Sequence, residues 1–134
     1  SFELTRRHIQ RHGPPQAVFV LGDQMASGVI AACVEAGLRV PEDVKIVGGA
    51  GLELARHTRP RLSVITQPME AIGQQACQMI QEMIRRNIRR IEPRRVRGRF
   101  IVRESLPVPE PLLRRLEQRY PEMIERDPAA AEKP

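Results

Sequence analysis

The chain has no tryptophan, one tyrosine and three phenylalanines, so aromatics are only 3% of it. A core built from this sequence must be aliphatic, with methionine as filler, and base stacking on interleaved aromatic rings is not available to it. No apolar run approaches the roughly 20 residues needed to cross a bilayer, and no secretion signal is visible, although a start at Ser1 rather than Met is compatible with a lost beginning. The two cysteines, Cys33 and Cys77, both fall at apolar helical positions. They read as buried thiols, not as a disulfide or metal pair, which fits a reducing cytoplasm. There is no internal repeat, no HExxH, no Ser-His-Asp order and no Cys/His ligand spacing. His8 and His12 stand at i, i+4, a spacing that any solvated helix also produces, and no carboxylate or thiol joins them at ligand spacing. Neither a metal nor a cofactor nor a catalytic residue is therefore expected.

With 134 residues, 41% of them hydrophobic, one domain is the expectation. The clearest pattern begins at Ala17. AVFVLG is a short apolar run, as for a strand buried on both faces. Asp23 follows where a helix N-cap belongs. Met25, Val29, Ala32, Cys33 and Ala36 recur at helical spacing, and Gly37 sits where such a helix stops. After Pro41, VKIVGG reads as a second buried strand. Strands joined through a helix predict an α/β domain with a parallel sheet, and in such sheets ligands bind beyond the carboxyl ends of the strands. Those ends are Gly22-Asp23-Gln24 and Gly49-Ala50-Gly51.

The flanks are plainer. Residues 2–13 predict a helix with Phe2, Ile9 and Leu4 inward, ended by Gly13 and Pro14-Pro15. Residues 52–58 are a linker or short helical turn, and 63–66 a short extended piece. Residues 69–86 form the best amphipathic helix, with Met69, Ile72, Ala76, Met79, Ile80, Met83 and Ile84 as its apolar stripe. A charged loop at 87–95 and a strand at 96–102 follow. From Pro107 the proline density rises, with short helical patterns around Leu112, Leu113, Leu116 and Tyr120, and a frayed end at 129–134.

The net charge of +6 is carried mainly by arginine, clustered at Arg85, Arg86, Arg89, Arg90, Arg94, Arg95, Arg97 and Arg99. One reading is a nucleic-acid surface. The plainer one, preferred at this level, is a solvated helix end and loop, because cations are favourable near a helix C-terminus and no helix-turn-helix pattern is present.

Three stretches carry a family resemblance: GDQMASG at 22–28, AGLRVPEDVKIVG at 36–48 and RPRLSVITQP at 59–68, in order and at family spacing. They resemble the effector-binding domain of LacI/GalR-family bacterial transcription regulators, whose members read AND-x-MA-x-G, then AGL-x-VP-x-D, then a PPLTTV-x-QP segment. RRVRGRFIVRES at 94–105 is similar to the family's closing strand and its R-x-S. The resemblance covers roughly residues 1–106. It implies an incomplete, Rossmann-like lobe of a type I periplasmic-binding-protein-like domain. Residues 1–64 would belong to the C-terminal lobe, 65–68 would cross the hinge, 69–106 would supply a helix and strand of the N-terminal lobe, and 107–134 would be a proline-rich extension. It also implies a cytoplasmic homodimer that senses a small molecule and meets operator DNA only through a headpiece absent from this chain. A solute-binding or sensor protein of the same fold is the alternative; an enzyme is not expected.

By the same resemblance the ligand would be bound at Gly22, Asp23, Gln24, Gly49, Ala50 and Gln67. The family's hydrogen-bonding Asn is here Gly22, and the aromatic and acidic residues that usually follow VVG are here Gly49, Ala50 and Gly51. Side chains that grip a sugar are thus missing. Exposed amides of GGAG, with Arg56, Arg59 and Arg61 nearby in sequence, offer an anion site; a degenerate pocket or a tight turn is the other reading. The dimer interface implied by the family would use Met25, Gly28, Val29, Ala32, His57 and Arg59, while packing of the small residues within one subunit fits the same periodicity.

Overall fold

The computed structural model describes residues 1–127, so the fraying expected at 129–134 lies outside the described residues. Ten elements follow one another: α1 (Phe2–His12), β1 (Ala17–Val20), α2 (Asp23–Glu35), β2 (Lys45–Gly48), α3 (Leu54–His57), β3 (Ser63–Ile65), α4 (Met69–Arg86), β4 (Phe100–Val102), α5 (Glu110–Arg119) and β5 (Ile124–Arg126). The strands form one sheet in the order β1-β2-β3-β4-β5. β1, β2 and β3 are parallel neighbours, β4 runs antiparallel to β3, and β5 is parallel to β4. The α/β fold with a mostly parallel sheet is as the sequence predicts.

The start of α2 is not built as expected. Gly22 is the extended N-cap residue and makes no side-chain cap, while Asp23 is already the first helical residue. The stop follows the prediction. Gly37 takes φ +72°, and the amides of Gly37 and Leu38 donate to the carbonyls of Val34 and Cys33 at 3.0 and 2.9 Å. This reciprocal pair satisfies the last carbonyls of the helix, and only glycine enters that left-handed conformation cheaply.

One face of α2 makes the core. Ala26, Val29, Ile30 and Cys33 pack with Val44, Ile46, Ala55, Leu62, Val64 and Ile101. The core is aliphatic, but no methionine is in it: Met25 and Met69 are exposed and Met79 and Met83 only half-buried. The strands are not buried on both faces either. Val18 and Val20 pack toward the core, whereas Phe19 is 56% and Ile65 45% exposed. Side chains alternate across a sheet, and α2 covers one face only. Phe19, Val47, Ile65 and Phe100 therefore line an open cleft on the other. In α1, Ile9 reaches the core and Leu4 does not, being 75% exposed.

The helix α4 forms as the periodicity predicts and ends at Asn87, which is left-handed at φ 50°. None of its residues is buried. Cys77, expected inside, is exposed on it, because among the described residues no other element packs against that helix closely enough to cover it, while Cys33 is buried in the core. Burial raises the pKa of the Cys33 thiol. In the folded chain a small aromatic disulfide reagent is expected to titrate one thiol quickly and the second only after denaturant is added. Two fast thiols would refute this placement of α2.

The strand expected at 96–102 is shorter, Phe100–Val102. β4 pairs Val64 with Ile101 and Ile65 with Phe100, so it completes the same sheet as β1–β3. The backbone hydrogen bonds of this strand are made to β3. Residues 107–127 carry a helix and a strand. Pro109 opens α5, Leu113 is buried and Leu112 and Tyr120 are not, and β5, which the sequence did not announce, adds a fifth strand. Arg126 binds both Glu110 and Glu117, and it holds the Glu110 carboxyl down to about 2, with Arg114 assisting.

Candidate functional site

The carboxyl ends of β1, β2 and β3 lie side by side in the sheet. They deliver Gly22-Asp23-Gln24, Gly49-Ala50-Gly51 and Thr66-Gln67 to one edge. The structure brings Asp23, Gly49, Ala50 and Gln67 of this set into direct contact. Asp23 is fully buried, and its carboxylate accepts the amide of Ala50 at 3.2 Å and that of Leu52 at 2.6 Å. Gln67 Nε2 donates to the carbonyl of Gly49 at 2.7 Å, and the Gln67 amide donates to the carbonyl of Ala50 at 3.0 Å. The loop after β2 is thereby held between the first residue of α2 and the crossing that follows β3.

Two glycines make this fit possible. A Cβ on Gly48 would strike the Asp23 carboxylate and the Leu62 side chain. Gly51 has φ +79° and lies against Thr66, so a side chain there would be strained and obstructed at once. Leu52 and Thr66 are the partners that the sequence did not single out, and Gly48 was read only as part of GGAG. The Gly48-Gly49 doublet was their only trace, since one glycine suffices for a turn and the second had to answer to a close neighbour.

One expectation is corrected by this geometry. Asp23 is not an N-cap; its oxygens point across to another loop instead of to the start of their own helix. Of the GGAG amides offered as an anion site, that of Ala50 donates to the Asp23 carboxylate, as does the amide of Leu52 just beyond them, so these donors are taken within the chain. The nearby arginines are committed as well: Arg61 pairs with Glu104 at 3.2 Å and Asp127 at 2.9 Å, Arg56 lies 3.8 Å from Glu53, and Arg59 donates to the carbonyl of Thr58. Gln24 is exposed and Gly22 half-buried beside this lock.

The dimer candidates divide. Val29 and Ala32 are buried inside the chain, and Gly28 lies against Ser1 and Phe2 at the start of α1. The close approach that small residues permit is thus used by α1 of the same chain. Met25, His57 and Arg59 remain exposed.

A second polar group sits under the β3–β4 pairing. The Ser105 hydroxyl donates to the carbonyl of Ile46 at 2.6 Å and accepts the amide of Ser63 at 2.8 Å. The Ser63 hydroxyl accepts the amide of Arg103 at 2.8 Å. The Arg103 guanidinium donates to the carbonyl of Leu62 at 2.8 Å and faces Asp127 at 3.5 Å. Burial pushes this guanidinium below its ordinary pKa, with the Asp127 charge opposing. Arg103 and Ser105 are the R and S of the R-x-S motif, and their work here is to tie three strands together.

Among the described residues no group of three or more His, Cys, Asp or Glu could hold a metal, and no helix is long and apolar enough to cross a membrane. His8 and His12 place their rings 5.1 Å apart on α1.

Against known proteins, residues 2–106 match the periplasmic binding protein-like domain. The HTH-type transcriptional repressor PurR of Photorhabdus laumondii subsp. laumondii is 43% identical over 93 residues, which is 66% of this chain and 27% of that protein. The lac repressor dimer bound to operator and the anti-inducer ONPF is similar with a TM-score of 0.70 and 26% identity, over 78% of this chain and 31% of that one. A transcriptional regulator CelR–cellobiose complex gives 0.69 and 29%, over 78% and 32%. The chain spans about a quarter of the length of the curated relatives it matches.

Proposed function

This chain belongs to the periplasmic binding protein-like domain family, in its LacI/GalR group, and on that footing we propose that it is the effector-sensing and dimerising portion of a bacterial transcription regulator. The observation that carries this is the double clamp on the loop after β2. Asp23 ties that loop to α2, and Gln67 ties it to the crossing toward α4. A small molecule that touches Gln24, Gly49, Ala50 or Gln67 changes how the loop holds the crossing. The orientation of α4 relative to the sheet then depends on occupancy. Such a ligand acts only as far as it prefers one arrangement.

The buried Asp23 beneath the loop favours a neutral polar effector, a sugar or nucleobase, over an anion. Residues 1–64 together with β4 form the C-terminal lobe in this reading, 65–68 the crossing, and α4 the part reaching the other lobe. Met25, His57 and Arg59 are the exposed residues left to face a second subunit. Operator DNA is read by a headpiece outside these residues, and the setting is cytoplasmic. Curated relatives named as repressors favour a regulator over a solute-binding protein.

The test is a titration of the ¹⁵N-labelled chain with neutral sugars, nucleobases and sugar phosphates, followed by NMR. The expected result is a saturable shift of the amides of Gln24, Gly49 to Leu52 and Gln67 with a neutral ligand, lost in Gln67→Ala. Shifts confined to other regions, or produced only by the phosphates, would overturn it.

A further inference from the structure

Positive charge is concentrated in this chain. Residues 85–99 carry eight arginines and one glutamate, a net +7, more than the +6 of the whole sequence, so everything outside the segment sums to −1. The segment comprises the last turn of α4, the left-handed stop at Asn87 and the loop returning to β4. It is tied back at defined points. Arg94 reaches Gln75 at 3.1 Å and Glu82 at 2.9 Å, Glu82 also takes Arg86 at 2.7 Å, and Arg99 pairs with Glu125 at 3.4 Å. These contacts consume the neighbouring carboxylates. Among the described residues Arg85, Arg89, Arg90, Arg95 and Arg97 are exposed and make no ion pair. Glu92, also exposed, is the one acidic group within the stretch.

The helix-end explanation covers only part of this. The field of a helix C-terminus fades within its last turn, which accounts for Arg85 and Arg86. Arg89, Arg90, Arg95 and Arg97 lie beyond it on a loop whose shape is fixed by Arg94. Crowding like charges there is unfavourable unless a partner with dense fixed negative charge relieves it. Duplex DNA offers one phosphate per roughly 1.7 Å of axis. The segment contains no aromatic ring on which unpaired bases could stack and only Asn87 as a carboxamide for reading base edges. Its chemistry suits phosphates and no particular sequence.

We infer that residues 85–99 form a contact surface for the phosphate backbone of double-stranded DNA, independent of effector binding and additional to any sequence-reading module. The test uses fluorescence anisotropy of the full 134-residue chain with a labelled short duplex of arbitrary sequence, between about 50 and 200 mM salt. Binding should be indifferent to duplex sequence. The plot of log K against log salt should have a slope of about −4, as for four to five phosphates neutralised. The variant R89A/R90A/R95A/R97A should lose at least about tenfold in affinity and flatten the slope to about −1. Its counterpart R89K/R90K/R95K/R97K should bind within about threefold of the parent, since point charges suffice for phosphate. A control, R7A/R11A/R115A/R119A, removes equal charge elsewhere and should bind like the parent. Equal losses in the control and the loop variant would mean diffuse attraction and overturn the inference. So would tighter binding to a single strand of the same sequence, or binding to phosphatidylserine vesicles without binding to the duplex.

Discussion

Asp23→Ala is expected to lower the unfolding free energy by about 3 kcal/mol, measured as a drop in the urea midpoint with little change in slope. The Asp23 side chain is wholly buried and accepts two amides from the loop after β2. Hydrogen bonds to a charged group are worth about 1.5–3 kcal/mol each, and removing the acceptor also strands the donors. No neighbour can take over, because Gly48, which packs on the carboxylate, contributes no side chain. Asp23→Asn separates this role from that of an N-cap. Asparagine caps a helix about as well as aspartate, so an N-cap would leave stability nearly unchanged. In the loop lock, one amide donor of asparagine would have to face a backbone N–H, and a loss of about 2 kcal/mol is expected. Hydrogen exchange at the Leu52 amide should accelerate in both variants. If both lose less than about 0.5 kcal/mol, the range of an ordinary surface change, the lock is not what holds the loop.

What could be read in advance depended on how local the cause was. The end of α2 and the extent of α4 were legible because helix periodicity and the glycine after α2 act within a few residues. β1 and β2 were legible as apolar runs, but their one-sided burial was not. A run such as AVFV looks the same whether one face or two is covered, and coverage is set by which helices are present to pack. Cys77 was misplaced for that reason: its spacing on α4 is that of a buried residue, and the packing partner is what the periodicity cannot supply. The strand ends Gly22 to Gln24 and Gly49 to Gly51 were legible as neighbours from topology, and Gln67 from the family resemblance; Asp23 and Gln67 do bond the loop after β2. The role of Asp23 was missed because the position before a helical run has a local use for a carboxylate. The actual partners are 27 and 29 residues away. β5 was invisible because Ile124 to Arg126 has only one strong strand former, and its pairing with β4 is decided by long-range contacts.

Asp127→Ala is expected to be the other large effect, about 3 kcal/mol, because removing one partner of a buried ion pair leaves the other charge without compensation. The side chains of Arg61, Arg103 and Asp127 are 14%, 3% and 5% exposed. Arg61 keeps Glu104 when Asp127 is lost, whereas Arg103 keeps only the carbonyl of Leu62. The stranded charge is therefore that of Arg103. Arg103→Met replaces it with an apolar side chain of similar length, so the double variant R103M/D127A should be more stable than D127A alone. Such a reversal is the mark of a pair whose members matter mainly by not being left alone. D127A should also loosen the segment that follows Pro107, because β5 is held to β4 by a short ladder and Asp127 is the residue just past its end. Faster proteolysis between α5 and β5 in D127A, with R103M/D127A cut equally fast, would separate that anchoring from global stability. A D127A loss below about 1 kcal/mol would contradict the buried-pair account. The family match ends at residue 106, yet Asp127 neutralises two arginines that lie within it. Residues 107–127 are thus part of the same folding unit, and a change at Asp127 is felt under β3.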